Sequence, residues 1–294
     1  MWLLFGLVAV EVFVTYGRLP ARDLYNVSGS GLEGGASRAL VFLNYPVALA
    51  ALGVLGTVAP ELGRRSRALA AVAAVLCAAV FWPGVVRPSD LDARPVNAVA
   101  AVGVALAVLL SLGRSRPLGH VPGDRGRLLV AAALFVLSLP WLAAELGLSF
   151  GGIPVLGQVF QTSELRHQPG VPGLHAAVHH GFHHGLGGAL LVVTALLLSR
   201  ALRPGHLHGL VAGLLALLAA YGLMNVANDA WLEQVVKRGW TAREIPSVLY
   251  PAANWGWAAM LVLAAWLWWR WLRRVPARNA ASPRRSGPAS GTRG

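Results

Sequence analysis

Cysteine occurs once in the 294 residues, as Cys77 inside an apolar run. That excludes an intrachain disulfide and any metal site built on several thiolates. Charge is scarce as well: only 13% of residues are charged, against about 25% in an ordinary soluble domain. Lysine is nearly missing, with Lys237 the single one among 25 basic residues. No phosphate-cradling glycine loop, no G-x-S-x-G turn, no H-E-x-x-H pair and no internal repeat occurs. Nucleotide hydrolysis on a P-loop, nucleophile-elbow serine chemistry and the common zinc-protease plan are therefore excluded.

What is present is apolar: hydrophobic residues make up 56% of the chain. Runs with almost no charge lie at 2–17, 39–59, 68–86, 96–113, 128–149, 174–199, 209–230 and 251–272. A helix needs about 20 such residues to cross a bilayer core. The pattern predicts an all-α, polytopic membrane bundle of about eight spans in one domain, 1–274. The remaining 275–294 is basic and rich in Pro, Ser and Gly, and a disordered cytoplasmic tail is expected there.

The formal net charge of +13 would suggest nucleic acid in a soluble chain, but topology accounts for it here. With eight spans and a cytoplasmic C-terminus, sixteen basic residues fall in cytoplasmic segments and nine in outer loops. Eight of the twelve acids fall outside. This is the positive-inside asymmetry, so both termini are expected in the cytoplasm and no nucleic-acid partner is expected. The Arg, Ala and Gly bias is that of a high-GC bacterial genome, which makes the inner membrane the expected location and membrane lipids the expected surroundings.

Chemistry concentrates in "LHAAVHHGFHHGLGG", residues 174–188. Pro172 and Gly173 suit a helix start. At about 100° per residue, His175, His179 and His183 form one i,i+4 ladder and His180 and His184 a second beside it. All five rings then share one half of the helix, while Ala177, Gly181, Gly185 and Gly188 make a small-residue packing stripe behind them. Neutral imidazole is a metal ligand, so all five are candidate ligands, with His179 and His183 the central pair. His167 lies just upstream as a sixth.

Other runs bring polar groups to similar depth. These are Glu11, Asn44 and Tyr45, Glu145 after Pro140, the face Tyr221/Asn225/Asn228/Asp229, and Asn254. Asn44 and Asn254 read as structural hydrogen-bonding groups. Glu145 and Asp229 are the candidate catalytic carboxylates, because buried membrane acids are costly. The Gly- and Pro-rich stretch 150–173 is long enough to cap a cavity at this end, and 25–38 is expected over the same face.

The spacings His175-x-x-x-His179 and His180-x-x-His183-His184 resemble the histidine boxes of membrane fatty-acid hydroxylases and desaturases. The resemblance is confined to these residues. It implies oxidative chemistry, in which histidine-bound irons activate oxygen against lipid C–H bonds. From the residues themselves, the leading expectation is a metal-dependent membrane enzyme, an oxidoreductase or hydroxylase before a zinc hydrolase. It would hold iron, zinc or copper and act on a lipid or another apolar small molecule. A metal-ion or proton transporter, a haem-ligating protein and a non-catalytic membrane subunit are the alternatives.

Overall fold

The structure, a computed structural model, describes residues 1–272 apart from 88, 115–119, 163–164, 168–171 and 203. The expected tail at 275–294 lies outside the described residues. The helices run in the order α1 (Trp2–Arg18), α2 (Gly31–Phe42), α3 (Ala48–Val58), α4 (Arg64–Ala78), α5 (Asn97–Ser111), α6 (Asp124–Leu137), α7 (Leu139–Glu145) and α8 (Leu156–Val159). A two-stranded antiparallel ribbon follows, β1 (Leu165–His167) with β2 (Leu174–Ala176). The chain ends in α9 (His184–Ser199), α10 (His208–Trp231) and α11 (Trp255–Leu267).

The molecule is mostly helical, and two of its helical segments are long and apolar enough to cross a membrane. The first is Gly31–Glu61, 31 residues, in which a wide turn at Leu43–Val47 joins α2 to α3. The second is His208–Val236, 29 residues. A third counts if α6 and α7, bent by 52°, are taken as one broken span. The bend falls at Pro140, whose ring removes a backbone donor and crowds the preceding turn.

The outward faces are apolar. On α1, Phe5, Val8, Val12 and Tyr16 are buried, while Leu3, Leu7, Val10 and Val14 are exposed. Leu128, Leu129 and Val136 on α6 and Leu261 and Val262 on α11 are also exposed. In water such surface is disfavoured by about 25 cal/mol per Å², whereas hydrocarbon accommodates it.

Close packing relies on small residues, as helices in lipid do. Gly188 of α9 lies directly against the backbone of Gly222 in α10, and Gly103 of α5 against Ala73 and Cys77 of α4. Any side chain at these glycines would collide with backbone. Asn44 ties two helices together, its amide donating to the Asn97 carbonyl at 2.9 Å. Asn254 instead caps α11, accepting from Trp257 N–H at 3.0 Å.

The connecting segments gather at two ends. At one, Leu91 N–H donates to Asn26 O at 2.9 Å and Gln234 Nε2 to Val159 O at 3.0 Å, and Leu24 bridges to His180. At the other, Arg127 and Arg200 converge on Asp124, each with a nitrogen 3.2 Å from Oδ1. Trp2 Nε1 donates there to Ser111 Oγ at 2.8 Å.

Candidate metal centre

The histidine stretch is not one helix. α9 begins only at His184, and the helix expected over 174–199 gives way to strand β2 and then to extended chain through His183. The cause is visible in the backbone. Gly181 adopts φ +104°, a conformation that side-chain-bearing residues avoid. The amides that would close helical turns are taken elsewhere: Gly181 N–H donates to Ala144 O at 3.0 Å and Phe182 N–H to the Tyr16 hydroxyl at 2.9 Å. The five rings therefore do not share a helical arc. The rear stripe survives only in part, with Gly185 against the Trp141 ring and Gly188 against α10.

The irregular path still brings two of the six expected ligands together. The His179 and His183 rings stack with centroids 4.3 Å apart, and Tyr25 stacks on the far side of His179 at 4.6 Å. Glu233, in the last wide turn of the α10 segment, completes the group. One ligand atom from each of His179, His183 and Glu233 lies within 4.8 Å of the others, so the three could hold a metal ion. Opposite ligands on one ion with bonds of about 2.1 Å stand about 4 Å apart, so little movement is required.

The detailed contacts fit this chemistry. His179 Nδ1 sits 2.9 Å from the His180 carbonyl. A carbonyl only accepts, so Nδ1 carries the proton and the Nε2 lone pair is left for a ligand bond. His183 Nε2 is 2.8 Å from Glu233 Oε1, yet neither atom has a partner in hydrogen-bonding geometry. An imidazole nitrogen and a carboxylate oxygen, buried and facing one another without hydrogen-bonding geometry, are donor atoms suited to a shared cation. The other carboxylate oxygen, Oε2, is held by Trp141 Nε1 at 3.1 Å, which orients Glu233. Lys237, one turn on, stands 3.5 Å from Oε1 and balances the carboxylate charge.

The group opens onto a cavity of about 590 Å³ whose wall includes His179, His183, Arg38 and Lys237. Its cover differs from expectation. No described residue of 150–173 lines it; Tyr25, Leu91 and the segment around Ile245–Tyr250 do. The 25–38 region thus contributes to the site, while the described residues of 150–173 include α8 and β1 and do not line the cavity.

The remaining sequence candidates are placed apart from the triad. His167 is exposed on β1. His175 lines the cavity from β2, but its Nε2 meets the Pro172 carbonyl at 3.0 Å. His180 turns toward the Ala144 carbonyl and Asp23. His184 Nε2 is 2.7 Å from Asn228 Oδ1, and its Nδ1 is 3.5 Å from Asp229 Oδ1. Asp229 also accepts from Gly185 N–H at 2.7 Å, and so satisfies a free amide in the first turn of α9. Glu145 is fully buried at the end of α7 with neither carboxylate oxygen hydrogen-bonded. It faces Arg38 and Glu11 electrostatically rather than the histidines.

Glu233 is the functional candidate that sequence reasoning passed over. It stands four residues after Asp229 and four before Lys237. Extending the polar ladder Tyr221/Asn225/Asp229 by one more helical step reaches it. Compared with known proteins, the chain matches no family model, no curated protein and no solved structure.

Proposed function

We propose that the chain is a metal-dependent enzyme of the bacterial inner membrane, with about eight spans and both termini in the cytoplasm, acting on a lipid or another apolar substrate. The observation that carries this reading is the buried His179/His183/Glu233 group at the wall of a 590 Å³ cavity. Two imidazoles and one carboxylate are the donor set of non-haem iron oxygenases and of several zinc hydrolases. Three protein ligands leave coordination positions open for water or substrate, as catalytic ions require and closed structural sites do not. The metal, when bound, supplies Lewis acidity and, if it is iron, redox chemistry. The protein's own groups orient and shield it: the His180 carbonyl fixes the His179 tautomer and Trp141 fixes Glu233.

The apolar outer faces and the two long apolar segments support membrane residence. The gathering of 18–30, 82–95 and 232–254 at one end supports the sidedness inferred from charge. The transporter alternative is disfavoured by the polar groups of the opposite halves of the helices. Thr57 donates to Val54 O, Thr194 to Leu190 O and Ser199 to Leu196 O, at 2.8, 2.8 and 2.7 Å. These bonds stay within each group's own helix; Ser199 also accepts from Arg127 and Ser111 from Trp2, at 3.0 and 2.8 Å, toward the end of the bundle rather than the cavity.

The test is metal analysis with an optical spectrum on protein purified without chelator. One ion per chain is expected, with near-complete loss in a His179→Ala/His183→Ala double variant. Wild-type protein that carries no metal, and takes up none when offered iron, zinc or copper, would overturn the proposal.

A further inference from the structure

The same cavity carries a cation that the metal centre does not use. Arg38 of α2 lines the wall and is only 5% exposed. Its guanidinium carbon sits over two ring faces, Tyr16 at 5.2 Å and Phe182 at 5.3 Å from the centroids. Its Nε has no hydrogen-bond partner. Among the described residues no carboxylate makes an ion pair with it. Glu145 is felt electrostatically but makes no contact. The cavity's other charged groups are already engaged or peripheral. Lys237 faces Glu233, Asp229 accepts from Gly185, and Glu244 is exposed at the rim.

A buried cation without a counter-ion is costly. Aromatic faces hold a guanidinium in place but leave its charge and its N–H fork available to a carboxylate or phosphate. Much of the remaining wall is apolar, with Val41, Val86, Leu91, Ile245 and Leu249, alongside polar groups such as Asn228 and Ser247. The volume falls within the range of about 300–1,000 Å³ typical of small-molecule sites.

We infer that Arg38 binds the anionic head of the substrate, so that the site takes an anionic amphiphile, a carboxylate or phosphate head on a hydrocarbon tail. This rests on the reading of the cavity as the enzyme's substrate site and narrows its substrate class. Phe182 adjoins His183 in the chain and lies under Arg38, so the head would be anchored beside the metal group while the apolar wall holds the tail.

The experiment is thermal-shift and calorimetric binding to the full chain in an uncharged detergent. The probes are laurate, dodecyl phosphate and dodecanol, with acetate and inorganic phosphate as tail-free controls. Metal content is measured on the same samples. Laurate or dodecyl phosphate should bind about 10- to 100-fold tighter than dodecanol, and the tail-free anions far more weakly. Arg38→Gln should erase the preference while dodecanol binding and metal content stay unchanged, and Arg38→Lys should restore part of it. Equal binding of dodecanol by wild type overturns the inference without needing any variant to fold. Preference retained in Arg38→Gln overturns it too, as does binding of free phosphate as tight as that of dodecyl phosphate. A metal-free protein that still prefers the anions would sink the metal centre alone. A metal-loaded protein with no preference would sink this inference alone.

Discussion

At one end of the bundle one group of ionisable residues is buried and turned inward; at the other the ion pairs remain within reach of water. Glu233 and His183 are 0% and 1% exposed at their side chains, and they are joined by Trp141 and Lys237. Asp124, Arg127 and Arg200 retain 23%, 13% and 21% exposure, and their contacts are the ordinary ion pairs of a polar rim. The first end also carries exposed charge, such as Arg22 and Asp23, but it takes Glu233 and His183 out of water. The difference teaches where to look for chemistry. Charge burial, not charge count, marks the candidate site.

The sharpest way to test this contrast is at Glu233. Glu233→Ala should strand buried His183 and half-buried Lys237 and abolish metal binding. The loss of a buried partner costs about 3–5 kcal/mol, read as a large drop in melting temperature together with loss of metal stoichiometry. A stable variant with full metal would erase the distinction between the two ends. Next, Gly188→Val should wedge apart α9 and α10 just behind the site, at a cost of about 1–3 kcal/mol from overpacking. Both melting temperature and metal retention should fall, and unchanged values would show that the helices do not meet as closely as described.

A smaller and more selective effect is expected at Trp141. Trp141→Phe keeps an aromatic ring but removes the N–H that holds Glu233, and should weaken metal affinity about 10- to 100-fold, beyond the loss of melting temperature that the smaller ring brings. Equal loss of stability and affinity would make Trp141 a packing residue only. The smallest effect belongs to the opposite end. Asp124→Asn should change stability by no more than about 1 kcal/mol and leave metal content alone, as a denaturation series with parallel metal analysis will read. A loss comparable to that at Glu233 would collapse the comparison.

Part of this was legible in the residues themselves. Most helices lie largely within the apolar runs because 3.6-residue periodicity and lack of charge are local properties, summed over many positions; α2 (Gly31–Phe42) instead begins in the Gly/Ser-rich stretch read as a loop, and α8 lies in the stretch 150–173. His179 and His183 were picked out by spacing, although the i,i+4 reason for pairing them did not hold. They meet because an irregular strand-like path stacks their rings, with Tyr25 outside them. The helix over 174–183 misled because nothing in the stretch announces that Ala144, 37 positions before Gly181, and Tyr16, 166 positions before Phe182, would take its amides. Asp229 and Glu145 stood out as intramembrane acids, yet one holds the start of α9 and the other faces Arg38, because burial alone does not say what an acid faces.

The sequence by itself determined the helical class, the apolar runs and the segment in which imidazoles concentrate. All of these follow from composition and short-range periodicity. Only the tertiary structure decided which acid stands beside the histidines, which segments line the cavity and which cation lines it without an ion pair among the described residues. Those are long-range pairings: Glu233 reaches His183 across 50 positions of chain, and Tyr25 reaches His179 across more than 150. Such contacts are fixed by how the helices pack and where Gly181 turns the backbone, and no local pattern encodes them.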